Sequence, residues 1–155
     1  MIKSTRIAQR GLPWQIARKS LTFDGGTVNA IGDHDGTGDP ADVFTVTGVV
    51  ESKIIAVCTT NLTFDANATI ELGIGGGSEI IATTDLTVAP LIAKEIWHDT
   101  TPDAEIEDSS VAETFIISDG NDIQIDCGVA NVTGGIILFI AIWRPLSEDG
   151  KVVAA

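Results

Sequence analysis

The chain has no tyrosine, one methionine, two histidines and two cysteines among its 155 residues. Each shortage excludes something. Cys58 and Cys127 are too few for a disulfide framework and lack metal-site spacing. Both stand in apolar, strand-like runs and read as buried free thiols. Only His34 and His98 could serve histidine-based catalysis, and there is no G-x-S-x-G turn. His98 directly precedes Asp99; neighbours on a strand point to opposite faces, a poor arrangement for a relay. Carboxylates crowd at Glu105, Glu107 and Asp108, but among 22 acids such neighbours arise readily and read as a solvated face. No catalytic residue, cofactor or resident metal is expected. The longest apolar run, Ile136 to Trp143, has eight residues. A membrane helix needs about 20. The first 20 residues show no continuous apolar stretch of the signal-peptide kind, so a product made in the cytoplasm, with no membrane partner, is expected.

Basic residues are scarce as well. Nine face 22 acids, for a net charge of −13. That balance argues against a nucleic-acid partner, whose binding rests on cationic contacts to phosphate. The few bases are unevenly placed. Lys3, Arg6, Arg10, Arg18 and Lys19 lie within the first 19 residues, with no acid among them. Residues 20–155 hold all 22 acids and four bases, a net of −18. The chain therefore reads as a basic N-terminal arm, residues 1–20, joined to an acidic body, residues 21–155. Such asymmetry points to a partner for the arm. Gly11 and Pro13 interrupt any long helix there. Trp14, between Arg10 and Arg18, has the character of an interface anchor, since Trp and Arg are enriched at binding hot spots. Packing onto its own body is the other reading of Trp14. The candidate contact residues are Lys3, Arg6, Arg10, Trp14, Arg18 and Lys19.

What the chain does have is branched side chains. Ile, Val and Thr contribute 21, 12 and 17 residues, against eight Leu. Branched Cβ atoms favour strands over helices. The patterning predicts a hairpin from 21–24 and 27–31 across Gly25-Gly26, then strands over 43–47, 53–60, 69–74, 79–83, 90–97 and 136–144. Residues 53–60 and 136–144 are apolar on both faces and read as central, buried strands. A second hairpin is predicted from 115–118 and 121–127 across Asp119-Gly120, with Ile123, Ile125 and Cys127 inward. The acidic stretch 100–113 reads as a loop and 145–155 as a polar tail. Eight or nine short strands with turns between them predict an all-β fold, an antiparallel β-sandwich or jelly roll with an extended basic N-terminal arm.

Two glycine-rich stretches invite a ligand reading. Asp33, Asp35 and Asp39 around Gly36 and Gly38 resemble a calcium loop, but the register fails the EF-hand pattern. A solvated surface loop is the expectation there. Gly73 to Gly77 misses the spacing of nucleotide loops, and a strand follows it rather than a helix, so it reads as a turn.

Several segments carry a resemblance. FTVTGVVESKIIAVCTTNLT (44–63), ATIELGIGGGSEIIATT (68–84), EIWHDTTPDAEIE (95–107) and FIISDGNDIQIDCGVANVTGGIILFIAIWRPLSEDGKVVAA (115–155) resemble a family of small tailed-phage virion proteins. The closing W-R-P-L-S-x-D-G is the most specific part. The resemblance covers about residues 43–155; the arm and the Asp-rich loop lie outside it. It implies a structural role in the particle, as a head decoration (cement) protein. Proteins of that type are β-rich, often trimeric, and sit on the head exterior, many clamping capsomers with an N-terminal arm. The expected partners are then the major capsid protein and the chain itself, as a homotrimer. Assigning residues 1–20 as the clamp follows from charge, not from matched residues. Other readings are a head-fibre, tail or baseplate component, a carbohydrate-binding module and a carboxylate hydrolase. A sugar platform needs exposed aromatics, and here Trp97 and Trp143 are expected in the core.

Overall fold

The computed structural model describes residues 13–102 and 105–155. Among them there is no helix, and two antiparallel sheets face each other across one core, the expected all-β sandwich. Ten strands run in chain order: β1 (Gln15–Thr22), β2 (Ala41–Thr47), β3 (Val50–Phe64), β4 (Thr69–Ile74), β5 (Ile81–Asp85), β6 (Ile96–Trp97), β7 (Thr114–Ile117), β8 (Ile123–Gly128), β9 (Val132–Pro145) and β10 (Lys151–Ala154). The first sheet has the order β1-β9-β3-β6, with β7 also paired to β3. The second has the order β10-β2-β8-β4-β5.

The first sheet is organised by its two long strands. β3 has 15 residues and β9 has 14, and they pair from Val50↔Pro145 to Phe64↔Val132. Inward positions of β3 are Val50, Ser52, Ile54, Ala56 and Cys58; those of β9 are Ile137, Phe139, Ala141 and Trp143, all buried. The second sheet answers with Phe44, Val46, Ile70, Leu72, Ile123, Ile125 and Cys127. Period-two alternation places these side chains between the layers. Trp97 is fully buried as expected, and its indole N–H donates to the Thr84 hydroxyl at 2.9 Å. Both thiols are free and buried, and burial pushes both up from their ordinary acidity.

Several expected elements come out differently. Residues 15–20 belong to β1, paired with β9 from Gln15↔Trp143 to Thr22↔Ile136, so the sandwich begins before the expected boundary at residue 21. The exposed backbone edge of β9 is satisfied by this strand. The hairpin over 21–31 does not form. β1 ends at Thr22, and the chain turns back through bonds from Asp24 N–H to Ile31 O (2.9 Å) and Val132 N–H to Gly32 O (2.8 Å). A Cβ at Gly25 would lie 2.2 Å from the Gly32 oxygen, so these two backbones meet only because residue 25 has no side chain.

The hairpin across Asp119-Gly120 is an arch instead. β7 pairs with β3 in the first sheet, and β8 pairs with β2 and β4 in the second. Ile117 and Ile123 both enter the core, but from opposite layers. The arch is held by carboxylates: Asp119 accepts the Gly48 N–H at 3.0 Å and Asp122 accepts the Val46 N–H at 2.8 Å. The strand over 90–97 shrinks to Ile96–Trp97. The polar tail is partly a strand: β10 pairs with β2, and Val152 is buried.

Candidate functional site

The two outer faces of the sandwich differ in kind. Outside the second sheet stand Asp42, Gln124, Glu71, Asp126 and Thr83. They bond with one another. Gln124 donates to Asp42 at 2.6 Å, and Thr83 donates to Glu71. Glu71 and Asp126 are direct cross-strand partners, so like charges lie side by side. This face is acidic and solvated.

The outer face of the first sheet is apolar at its centre, with charged and polar residues around it. The strand register lines up its side chains in rows. Trp14, next before β1, adjoins a row of Arg144, Glu51 and Ile116. The next rows are Ile16, Ile142, Lys53 and Thr114, then Arg18, Ile140 and Ile55, then Ser20, Leu138, Val57 and Ile96. Residues 53–60 and 136–144 are apolar on both faces, as the sequence indicates. Their outward side chains are nevertheless only half-buried, not covered as expected for central strands. Among the described residues no strand packs on this face. The segment 105–113 reaches its rim, where Lys53 Nζ donates to the Ser109 carbonyl at 2.9 Å. A groove of about 440 Å³ crosses the face, with Ile55 and Ile142 in its lining and Trp14 and Ser109 at its sides.

The expected arm residues are not gathered as one set. Lys3, Arg6 and Arg10 lie outside the described residues. Trp14 is 46% exposed at the groove rim, with the Arg144 guanidinium 5.1 Å from its ring centroid. Arg18 is exposed on the apolar face opposite Ile140. Lys19 points the other way and donates to the main-chain oxygen of Ala155, tying β1 to the end of β10. Strand alternation separates Arg18 from Lys19. As expected, Trp143 is buried. Of the three tryptophans, Trp14 alone is exposed, and Arg144 lies over it, which leaves little of a sugar platform.

The molecule also holds two polar clusters. His98 does lie between carboxylates, 3.6 Å from Asp99 and 3.3 Å from Glu107. His98 and Asp99 do not continue a strand as expected: β6 ends at Trp97 and the chain bends there. Both ring nitrogens face carboxylate oxygens, so the cluster pins the acidic segment to the β6 end. In the Asp-rich loop, Asp33, His34 and Asp35 each bring one donor atom within 4.8 Å of the others. Two of these residues already serve the loop. Asp33 accepts the Asn29 N–H at 2.6 Å, and the His34 ring bonds Asn131 at 2.9 Å. The Asn131 bond is the main cause that raises His34, with Asp35, Asp33 and Asp39 adding to it.

The apolar face is the feature that sequence reasoning missed as a site. Its signal was present in the runs 54–58 and 136–143, which read as burial on both sides. Comparison with protein-family models, with curated proteins and with solved structures finds no match for this chain.

Proposed function

We propose that the chain is a structural protein of a tailed-phage particle, a decoration (cement) protein on the head exterior. The basic segment ahead of β1 docks on the shell formed by the major capsid protein, and the chain associates with itself, as a homotrimer in the reading that the resemblance implies. One observation supports this most: the sandwich has two unlike faces. One is apolar at its centre, carries Arg18 and Lys53, and has Trp14 at its rim. The other is acidic, with Asp42, Glu71 and Asp126. A shell-coating oligomer needs one side for contact between its copies and one for solvent, with the basic segment left to reach the shell, and like charge on the solvated side keeps coated particles apart.

The experiment is the copy number per major capsid protein in purified particles, by quantitative mass spectrometry. Hundreds of copies are expected. A few copies would move the protein to a vertex, fibre or tail position. Absence from particles would overturn the reading. The clamp is tested on the full chain with Lys3, Arg6 and Arg10 all changed to Glu. Loss of shell binding with an unchanged circular dichroism spectrum is expected; saturation of shells by this variant would sink the clamp. Because β1 begins at Gln15, a truncation meant to remove only the arm must stop before Trp14.

A further inference from the structure

We infer that the outer face of the first sheet is the contact surface between copies of this chain, covered in solution by a second copy. This gives the self-association of the proposed function a surface. It is tested on the purified chain alone, so its failure leaves shell binding untouched, and failure of shell binding leaves it standing.

The composition of the face is the first argument. An antiparallel sheet with one solvated side alternates apolar and polar residues, whereas strands covered on both sides read as continuous apolar runs. This chain contains both kinds. β8 alternates Ile123, Ile125 and Cys127 with Gln124 and Asp126, and its outer side is polar. β9 turns Phe139 and Ala141 inward and Leu138, Ile140 and Ile142 outward. β3 adds Ile55 and Val57, and the flanks add Ile16 and Ile116, which are 53% and 73% exposed. The same chain solvates one sheet and leaves the other with a core-like exterior.

Size and charge select the occupant. β1, β9 and β3, about 4.8 Å apart over eight residues at about 3.3 Å each, with the short β7 and β6 beyond β3, give a footprint of roughly 400 Å² in projection. That lies within the range of the largest apolar patches on monomers, about 300–600 Å². The charges on the face are peripheral or neutralised. Arg144 pairs with Glu51, Lys53 is drawn to the Ser109 carbonyl at the rim, and Arg18 lies on the edge strand. Association through the outer face of the second sheet would instead bring Asp42, Glu71 and Asp126 of two copies together. Packing through this face, as a pair or about a threefold axis, turns the acidic sheets outward. In a face-to-face pair they are then separated by three layer spacings of about 10 Å each, beyond the Debye length of about 8 Å.

The test is sedimentation velocity of the full chain over a concentration series, beside Ile140→Asp and Ile116→Lys. The unmodified chain is expected to form an oligomer. Ile140→Asp places a charge at the centre of the face and is expected to weaken association by about tenfold or more. Ile116→Lys lies at the exposed rim, where the fold tolerates it, and a smaller shift in the same direction is expected. Circular dichroism establishes that each variant is folded; if Ile140→Asp is not, Ile116→Lys decides. A monomeric unmodified chain overturns the inference, including the case in which residues 1–12 of the same chain cover the face. An oligomer unmoved by folded variants overturns it as well.

Discussion

The guanidinium of Arg144 lies 5.1 Å over the ring of Trp14 while pairing with Glu51 of β3. One side chain at the end of β9 thus joins the residue ahead of β1 to the strand on its other side. Trp14 is held at the rim of the apolar groove because Gln15 pairs with Trp143, which sets Trp14 beside Arg144.

Replacing Arg144 with Ala removes the cation from Trp14 and leaves Glu51 unpaired. Both interactions are partly exposed, so the expected loss of stability is about 1 kcal/mol or less, read from urea denaturation. Acrylamide quenching gives the local readout. Trp14 becomes more accessible, while Trp97 and Trp143 stay shielded in the core.

Thr84 in β5 and Trp97 in β6 join the two sheets by a buried hydrogen bond of 2.9 Å. The Thr84 hydroxyl also lies 3.0 Å from the Asp99 carbonyl, next to His98. Thr84→Val keeps the shape and removes the acceptor. An unpaired buried indole N–H costs about 1–3 kcal/mol, so the urea midpoint should fall accordingly. A midpoint unchanged from the parent would show that the bond contributes nothing net.

Ser52 sits inside the core on β3, and its hydroxyl finds no partner among the described residues. Ser52→Ala removes a desolvated polar group and opens little space. Stability should rise, by about 1 kcal/mol. A drop on thermal denaturation would mean that the hydroxyl is satisfied in solution.

The Asp39 carboxyl is half-buried, accepts the Cys127 N–H at 2.7 Å and neighbours Asp126. Burial, with the Asp126 carboxylate adding to it, raises Asp39 from 3.8 to about 7. The folded chain therefore holds a proton that the unfolded chain releases near its ordinary value. The stability this contributes is complete below about 4 and is lost as pH rises through about 7. His34, also raised, acts with the same sign. Asp39→Asn preserves the acceptor for Cys127 and removes the like charge. Its denaturation midpoint at pH 8 should exceed that of the parent, and its slope between pH 4 and 7 should flatten. A parallel pH profile for the two proteins would rule out Asp39 as the source.

Part of this structure was legible residue by residue. The alternation of Ile70 with Leu72, and of Ile123, Ile125 and Cys127 with their polar neighbours, is a period-two pattern that local sterics and burial impose on any strand. It marked both the strands and their inward faces. The apolar runs at 54–58 and 136–143 marked the two central strands equally well. Arg18 stands exposed on the outer face, and Trp14 shares both of its readings, 46% exposed yet packed beneath Arg144. Lys19 is not on that face, because strand alternation turns it away from Arg18 and toward the main chain of Ala155.

The sequence by itself determined the class of fold, the strand-rich core and the separation of a basic start from an acidic body. The tertiary structure alone decided the partners. Asp119-Gly120 is compatible with a hairpin turn, yet Ile117 joins β3 and Ile123 joins β2, because each strand finds its fit in a different layer. β10 becomes a strand only because β2 offers it an edge. The same holds for the candidate site. Ile16, Ile55 and Ile140 lie far apart in the chain and form one face only through the β1-β9-β3 register. Strand pairing is a long-range choice among compatible edges, and period-two patterning states which face is apolar but not which strands will share it.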